Sequence, residues 1–354
     1  MAKMNKNYGL FGLAVQTAQQ QAATAPTVSF HASGDSNGLS AEKTVASLDL
    51  TKGSPVAVSS YVDSLAPKFE ATTLGFPDML ALLAYAALGK VETEGSAAPY
   101  THTITPGESL PYLTVFEQKG SASAALARLI DAKVDSLKLS AEGVKPISFD
   151  MVINGCVMEW LTTTSWSGPA FKISDGYFTL ANAEVLFSLS TGTPVAVPAG
   201  VNLSKLELEI ANSVSSQAIL GSPVPGDQTE SGSVITINIE GTSDSTELYR
   251  EVMTGSKTGT SLASTVVTGS LQMTFKHNSN EDIELVLKVP AIPWTCDVMA
   301  VSTEGGPFDL KLSTEGALDP GDENGSIQLI INTNHQDIKN PVDQVQEAED
   351  AGSE

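Results

Sequence analysis

The sequence predicts a mainly β protein of two tandem β-sandwich or barrel domains, each with one short flanking α-helix. Three observations carry that expectation. Apolar and polar residues alternate with period two along most of the chain, the sign of half-buried strands. Helical periodicity is confined to two segments. The strand-like KVDSLKLSAEG (Lys133–Gly143) returns as CDVMAVSTEGG (Cys296–Gly306), its Glu-Gly recurring 162 positions later.

The helices come first because they are least ambiguous. PDMLALLAYAALG (Pro77–Gly89) has Pro in its first turn and Gly at its stop. SDSTELYREVMTG (Ser243–Gly255) begins on Ser and Asp and also closes on Gly. At an offset of 166, Asp78 meets Asp244, Leu82 meets Leu248 and Gly89 meets Gly255.

Strands are expected at matching places around them. Thr44–Leu50 pairs in pattern with Ser204–Ile210, and Lys68–Leu74 with Val234–Glu240, each of the latter leading to its helix. After the helices come Tyr112–Glu117 and Leu271–His277, then the repeated Glu-Gly strand, then Ser148–Ile153 and Phe308–Leu312. One order of elements is thus written twice, the mark of internal duplication. The predicted division is an N-terminal arm at 1–26, a first β domain at 27–165, a linker hairpin at 166–200, a second β domain at 201–336 and an acidic tail at 337–354. In each domain the first two strands are joined by a long connection without clear periodicity, Thr51–Pro67 and Ala211–Ser233. Such stretches are usually functional or ordered against a partner.

Composition narrows the function. Apolar residues make up 41% of the 354, enough for a packed core, and the length suits two domains. Nineteen basic against 41 acidic residues give a net charge of −22, of which the tail Val342–Glu354 supplies only five acids. A body so acidic repels phosphate backbones and argues against tight nucleic-acid binding. Cys156 and Cys296 match no disulfide scaffold and no zinc signature, and fit a reducing compartment. Lys3 and Lys6 before YGLFGLAV look superficially like a signal peptide, but the apolar run is short and holds two glycines. No apolar run has the length of a membrane span.

A search for chemistry finds none. His31, His102, His277 and His335 are scattered, and no G-x-S-x-G, phosphate-loop or H-E-x-x-H motif occurs. DPGDENGS (Asp319–Ser326) lacks the alternation and the later Glu of a calcium loop and reads as a turn. Trp160, Trp166 and Trp294 suit core or interface anchors better than a sugar-stacking surface. No catalytic residue, cofactor or metal is expected.

YGLFGLAVQTAQQQAAT, GLSAEKT, DMLALLAYAALGKVET, YTHTITPGESLPYLTVFEQKG, KVDSLKLSAEG, GYFTLANAEV, LSKLELEIANSV and ELYREVMTGS follow one another in order. This ordered set resembles the major tail tube proteins of long-tailed, siphovirus-like bacteriophages. The resemblance implies tail-tube-type β domains whose strands join edge to edge around a lumen. It implies a virion protein, assembled in the host cytoplasm, whose stacked rings form a conduit for DNA ejection. It also implies tape-measure, tail-terminator and distal tail proteins as partners, with DNA passing through unbound. If a ring needs six sandwiches, a chain carrying two closes it with three copies; a ring of six chains with the second domain outside is the alternative. For contacts between stacked rings the expected residues are Tyr8, Leu10 and Phe11 in the arm, with Tyr61 and Gln217 in the long connections. Asp49, Glu207 and Glu209 alternate with core-facing residues and are the candidate lumen acids. The rival reading is a secreted or surface β-sandwich that binds carbohydrate.

Overall fold

The computed structural model describes residues 9–33, 38–48, 59–119, 126–161, 170–171, 176–190, 193–300, 305–321 and 325–339. The chain opens with β1 (Gly9–Val15), β2 (Val28–Phe30), β3 (Gly38–Leu48) and β4 (Ser59–Leu74), which leads into α1 (Pro77–Leu88). Next come β5 (Gly89–Glu94), β6 (Tyr100–Pro106), β7 (Leu113–Lys119), the long β8 (Leu126–Glu142), β9 (Ser148–Asn154) and β10 (Val157–Leu161). Then follow β11 (Ala170–Phe171), β12 (Phe178–Ser188), β13 (Val195–Ala196), β14 (Val201–Ala211), β15 (Val214–Ile219), β16 (Ser222–Glu230) and β17 (Val234–Ser243). Helix α2 (Glu247–Thr254) precedes β18 (Thr268–His277), β19 (Glu284–Pro293), β20 (Thr295–Cys296), β21 (Phe308–Thr314) and β22 (Gln328–Thr333).

The protein is therefore mainly β, and its strands pair antiparallel except for β11 beside β2. The pairing order of the first half recurs in the second. β1 lies between β2 and β7, β7 pairs with the start of β8, and β10 flanks that part of β8. Likewise β12 lies between β13 and β18, β18 pairs with β19, and β22 flanks β19. A second set runs β3, β4, β9 and the end of β8, and is matched by β14, β17, β21 and β20. Two hairpins have no counterpart of the same form: β5–β6 after α1, and β15–β16 between β14 and β17. The halves are joined by β8 pairing with β14 and by β6 pairing with β22. No sheet of the described residues closes into a barrel: β3 pairs only with β4, and β20 only with β21.

One buried cluster draws on both halves. Helix α1 is apolar on nearly every side and buried along almost its whole length, as an all-round hydrophobic helix must be. Both helices end as the sequence predicts. Gly89 (φ 96°) and Gly255 (φ 77°) take the left-handed conformation and donate their N–H to the Tyr85 and Glu251 carbonyls. Helix α2 starts later than expected. Ser243 is the last residue of β17, paired with both Val201 and Phe308, so its backbone is already committed to the sheet. No described helix is long and apolar enough to cross a membrane.

Several sequence expectations are corrected. Residues 9–26 are no free arm: β1 is held by β2 and β7, and it opens the first half as β12 opens the second. The connection Thr51–Pro67 is strand from Ser59 onward, and Ala211–Ser233 is mostly the β15–β16 hairpin. Residues 59–66 of β4 and most of β15 are exposed, and the root of the β15–β16 hairpin is held by polar groups, so neither shows the alternation that marks a half-buried strand. For the same reason residues 44–47 are strand but not half-buried: Val45 is 54% exposed, and the core-facing residue of β3 is Leu39. Asp49 and Leu50 lie outside the described residues. The first Glu-Gly strand is the end of β8, whereas in the described part of its second copy Cys296 is strand and Asp297–Ala300 is irregular. The difference follows from neighbours: the end of β8 is hydrogen-bonded by β9 and β14, and β20 by β21 alone.

Candidate assembly surfaces

The seam between the halves shows how this chain joins one sheet edge to another. Across it Leu137 faces Ile210, Leu139 faces Leu208 and Ala141 faces Leu206, all buried. The alternate residues point to the other face, where Lys138 lies opposite Glu209 and Lys205 opposite Glu142. That face continues over the neighbouring strands as a charged row, with Glu240 beside both Lys205 and Lys311. Opposite charges directly across a sheet attract, each pair contributing roughly 0.2–1 kcal/mol.

Glu207 sits in the middle of this face, 3.0 Å from Lys138 and 3.2 Å from Lys205. The hydrogen bond from Lys138 holds its carboxyl below the usual carboxylate range, against the opposing effect of burial and with Lys205 adding to it. Glu209 points the same way. Of the expected lumen acids, these two therefore share one polar face, but Glu207 is neutralised by lysines instead of standing as a bare negative charge. Asp49 lies outside the described residues.

The β15–β16 hairpin forms a second contact by folding back onto the first half. Asn212, 2% exposed at its root, donates its side-chain amide to the carbonyls of Ala87 (2.9 Å) and Val134 (3.0 Å). The Val214 N–H donates to the Asp135 carboxylate at 2.8 Å. Gln228, wholly buried, donates to the Gly155 carbonyl at 2.8 Å. Glu230 accepts from the Leu110 N–H at 3.0 Å and from the Lys133 ammonium at 2.5 Å, and that ammonium also lies 4.6 Å from the centre of the Tyr112 ring. Burial opposes ionisation of Glu230, yet its hydrogen bonds from Lys133 and backbone amides outweigh it and lower its pKa. The Tyr112 hydroxyl donates to Asp227 at 2.8 Å; burial first, then that carboxylate, push the phenol above its usual value.

The corresponding excursion of the first half, the outer part of the β3–β4 ribbon, is mostly exposed, with Tyr61 at 49%. Tyr61 pairs in register with Ala46, and the exposed Gln217 of β15 with Asp227. Both expected contact residues are thus exposed on two-stranded ribbons, Tyr61 on the outer β3–β4 part and Gln217 on the hairpin anchored to the first half. Leu10 and Phe11 are not: both are buried, and the Phe11 ring packs 5.9 Å from Phe30 and 5.3 Å from Phe69. They are core residues because β1 is a central strand. Tyr8 lies outside the described residues. The polar anchors Asn212, Gln228, Lys133 and Glu230 escape sequence reasoning, because their partners are 73 to 125 positions away.

The histidines serve structure where their partners are seen. His102 is fully buried between Thr93 and Thr333, at 2.9 Å from each hydroxyl. His335 hydrogen-bonds Asp78 of α1 at 2.9 Å, fixing the segment after β22, where Ile338 is buried and Lys339 stacks on Tyr85. Trp294 is buried and donates its indole N–H to the Ser188 carbonyl at 3.1 Å. The Asp319 carboxylate accepts from the Gly321 N–H at 2.8 Å, as in a turn. Among the described residues no group of three or more His, Cys, Asp or Glu stands close enough to hold a metal ion. No protein-family model matches this chain, and no curated protein matches it.

Proposed function

We propose that this protein is a structural subunit that polymerises through its sheet edges into stacked rings, the tail tube of a long-tailed bacteriophage. The observation that carries the reading is the β8–β14 seam. A four-strand order occurs twice in one continuous sheet, joined once inside the chain, with β3 and β20 left as open ends. An unpaired strand edge is a template for another chain, and a closed ring removes it. Pairing of β20 with β3 of a second copy extends the sheet by the same rule as the seam, and three copies close a ring of six such units. Its polar face, with Glu207, Glu209 and Glu240 interleaved with Lys138 and Lys205, then lines the lumen. A lining that carries more carboxylates than lysines offers passing DNA no adhesive surface. Stacking of rings head to tail is the heterologous mode that yields a filament. Tape-measure, terminator and distal tail proteins then cap or fill the tube.

Symmetry averaging of the assembled protein by electron microscopy tests this reading. Rings with a central hole and three chains support it; six equivalent chains per ring overturn the trimer, and a monomer at all concentrations overturns the function. The carbohydrate-binding alternative is weakened by Trp294, whose ring is committed to the core.

A further inference from the structure

Inside the chain, the first half reaches the second by two routes: the β8–β14 seam, and the connection from α1 to β7, whose β5–β6 hairpin lays β6 along the outer edge of β22. Among the described residues the matching pieces, β10 of the first half and the 255–267 connection of the second, have no such cover. β10 holds beside β8 the place that β22 holds beside β19, yet its other edge pairs with no described strand. On it Trp160 is 64% exposed. The connection from α2 to β18, residues 255–267, holds the place of β5–β6 but forms no strand, and it leaves Leu262 75% and Val266 73% exposed.

Direction decides which surfaces meet. The seam sets β8, at the end of the β3-β4-β9-β8 order, against β14, at the start of the β14-β17-β21-β20 order. Its repeat between copies sets β20 of one chain against β3 of the next, so the second half of one chain faces the first half of its neighbour. That neighbouring half carries β10. We propose that the 255–267 connection of one copy covers β10 of the next, with Leu262 and Val266 packed on Trp160. This inference rests on the ring reading above and names a lateral contact that the ring requires. A large, rigid aromatic at the centre of an interface is the residue type that most often dominates association. Charged residues beside it, Glu159 paired to Arg128 at 2.9 Å, form a polar rim.

Because Trp160, Leu262 and Val266 are exposed in the single chain, replacing them leaves the fold intact, which far-UV circular dichroism checks. Sedimentation velocity of Trp160→Arg and of Leu262→Asp is expected to show association at least tenfold weaker than in the parent chain. The Trp160 emission, taken as the difference between the parent and Trp160→Phe, is expected to move to shorter wavelength and lose acrylamide quenching on assembly. Rings of normal yield in both variants, with Trp160 of the assembled parent still quenched, overturn this contact and leave the ring standing. A parent chain that never associates overturns both.

Discussion

Leu139 of β8 lies directly opposite Leu208 of β14, each 2% exposed, and the two side chains form part of the seam where the halves of the chain meet. Leu208→Ala removes buried methyl groups there and is expected to cost about 2–5 kcal/mol. Urea unfolding with an unchanged slope checks it; a loss under 1 kcal/mol would mean the seam is loosely packed.

Asn212 ties the root of the β15–β16 hairpin to both α1 and β8. Asn212→Ala leaves the Ala87 and Val134 carbonyls without that donor, with an expected loss of about 1–3 kcal/mol. Hydrogen exchange should rise first at Val214–Glu230. Uniform loss of protection over the whole chain would contradict a local hinge.

Lys133 and Glu230 pin the same hairpin, with side chains 7% and 23% exposed. Glu230 has a folded pKa below its unfolded value, so its stabilisation is present above about pH 4.3 and lost as pH falls through the lower folded value. Glu230→Gln leaves the buried ammonium unpaired and is expected to destabilise by about 3 kcal/mol at neutral pH. The deficit should shrink in acid, as thermal melts of parent and variant across pH will report.

His335 behaves in the opposite sense. The hydrogen bond to Asp78 raises its pKa despite burial, so this tether is fully present below about pH 6.5 and weakens as pH rises through the folded value. His335→Gln should therefore destabilise the fold more at pH 5.5 than at pH 8.5, by an amount on the order of 1 kcal/mol, as thermal melts at the two values will report. An equal effect at both values would show that the imidazole never carries the charge.

Burial pushes both thiols, Cys156 and Cys296, up to about 11, with nearby carboxylates adding to the effect. Labelling by a disulfide reagent at pH 8 should be slow in the native protein and fast in guanidinium, because the thiolate is the reactive form. Rapid native labelling of Cys296 would show that the β20 edge opens readily.

Much of this architecture was legible in the residues. The two helices with their closing glycines, the mainly β content and the alternation of β9, β14, β17 and β21 follow from local chemistry, because a half-buried strand must alternate and a helix must stop at a residue that tolerates positive φ. The repeat was visible for the same reason, since matched burial selects matched patterns. The two opening hairpins were harder to read. β1 and β12 are core strands, yet they sit beside polar or glycine-rich stretches, which give their segments the look of an arm and a linker. Only the folded chain could decide which edges find a partner. Over their described residues the Glu-Gly strand is continuous where β9 and β14 flank it, whereas its second copy leaves the sheet after Cys296, where β21 is its one described neighbour. Periodicity fixes which face a side chain turns to; the neighbours that satisfy its backbone come from residues far along the chain, and those are chosen by tertiary packing.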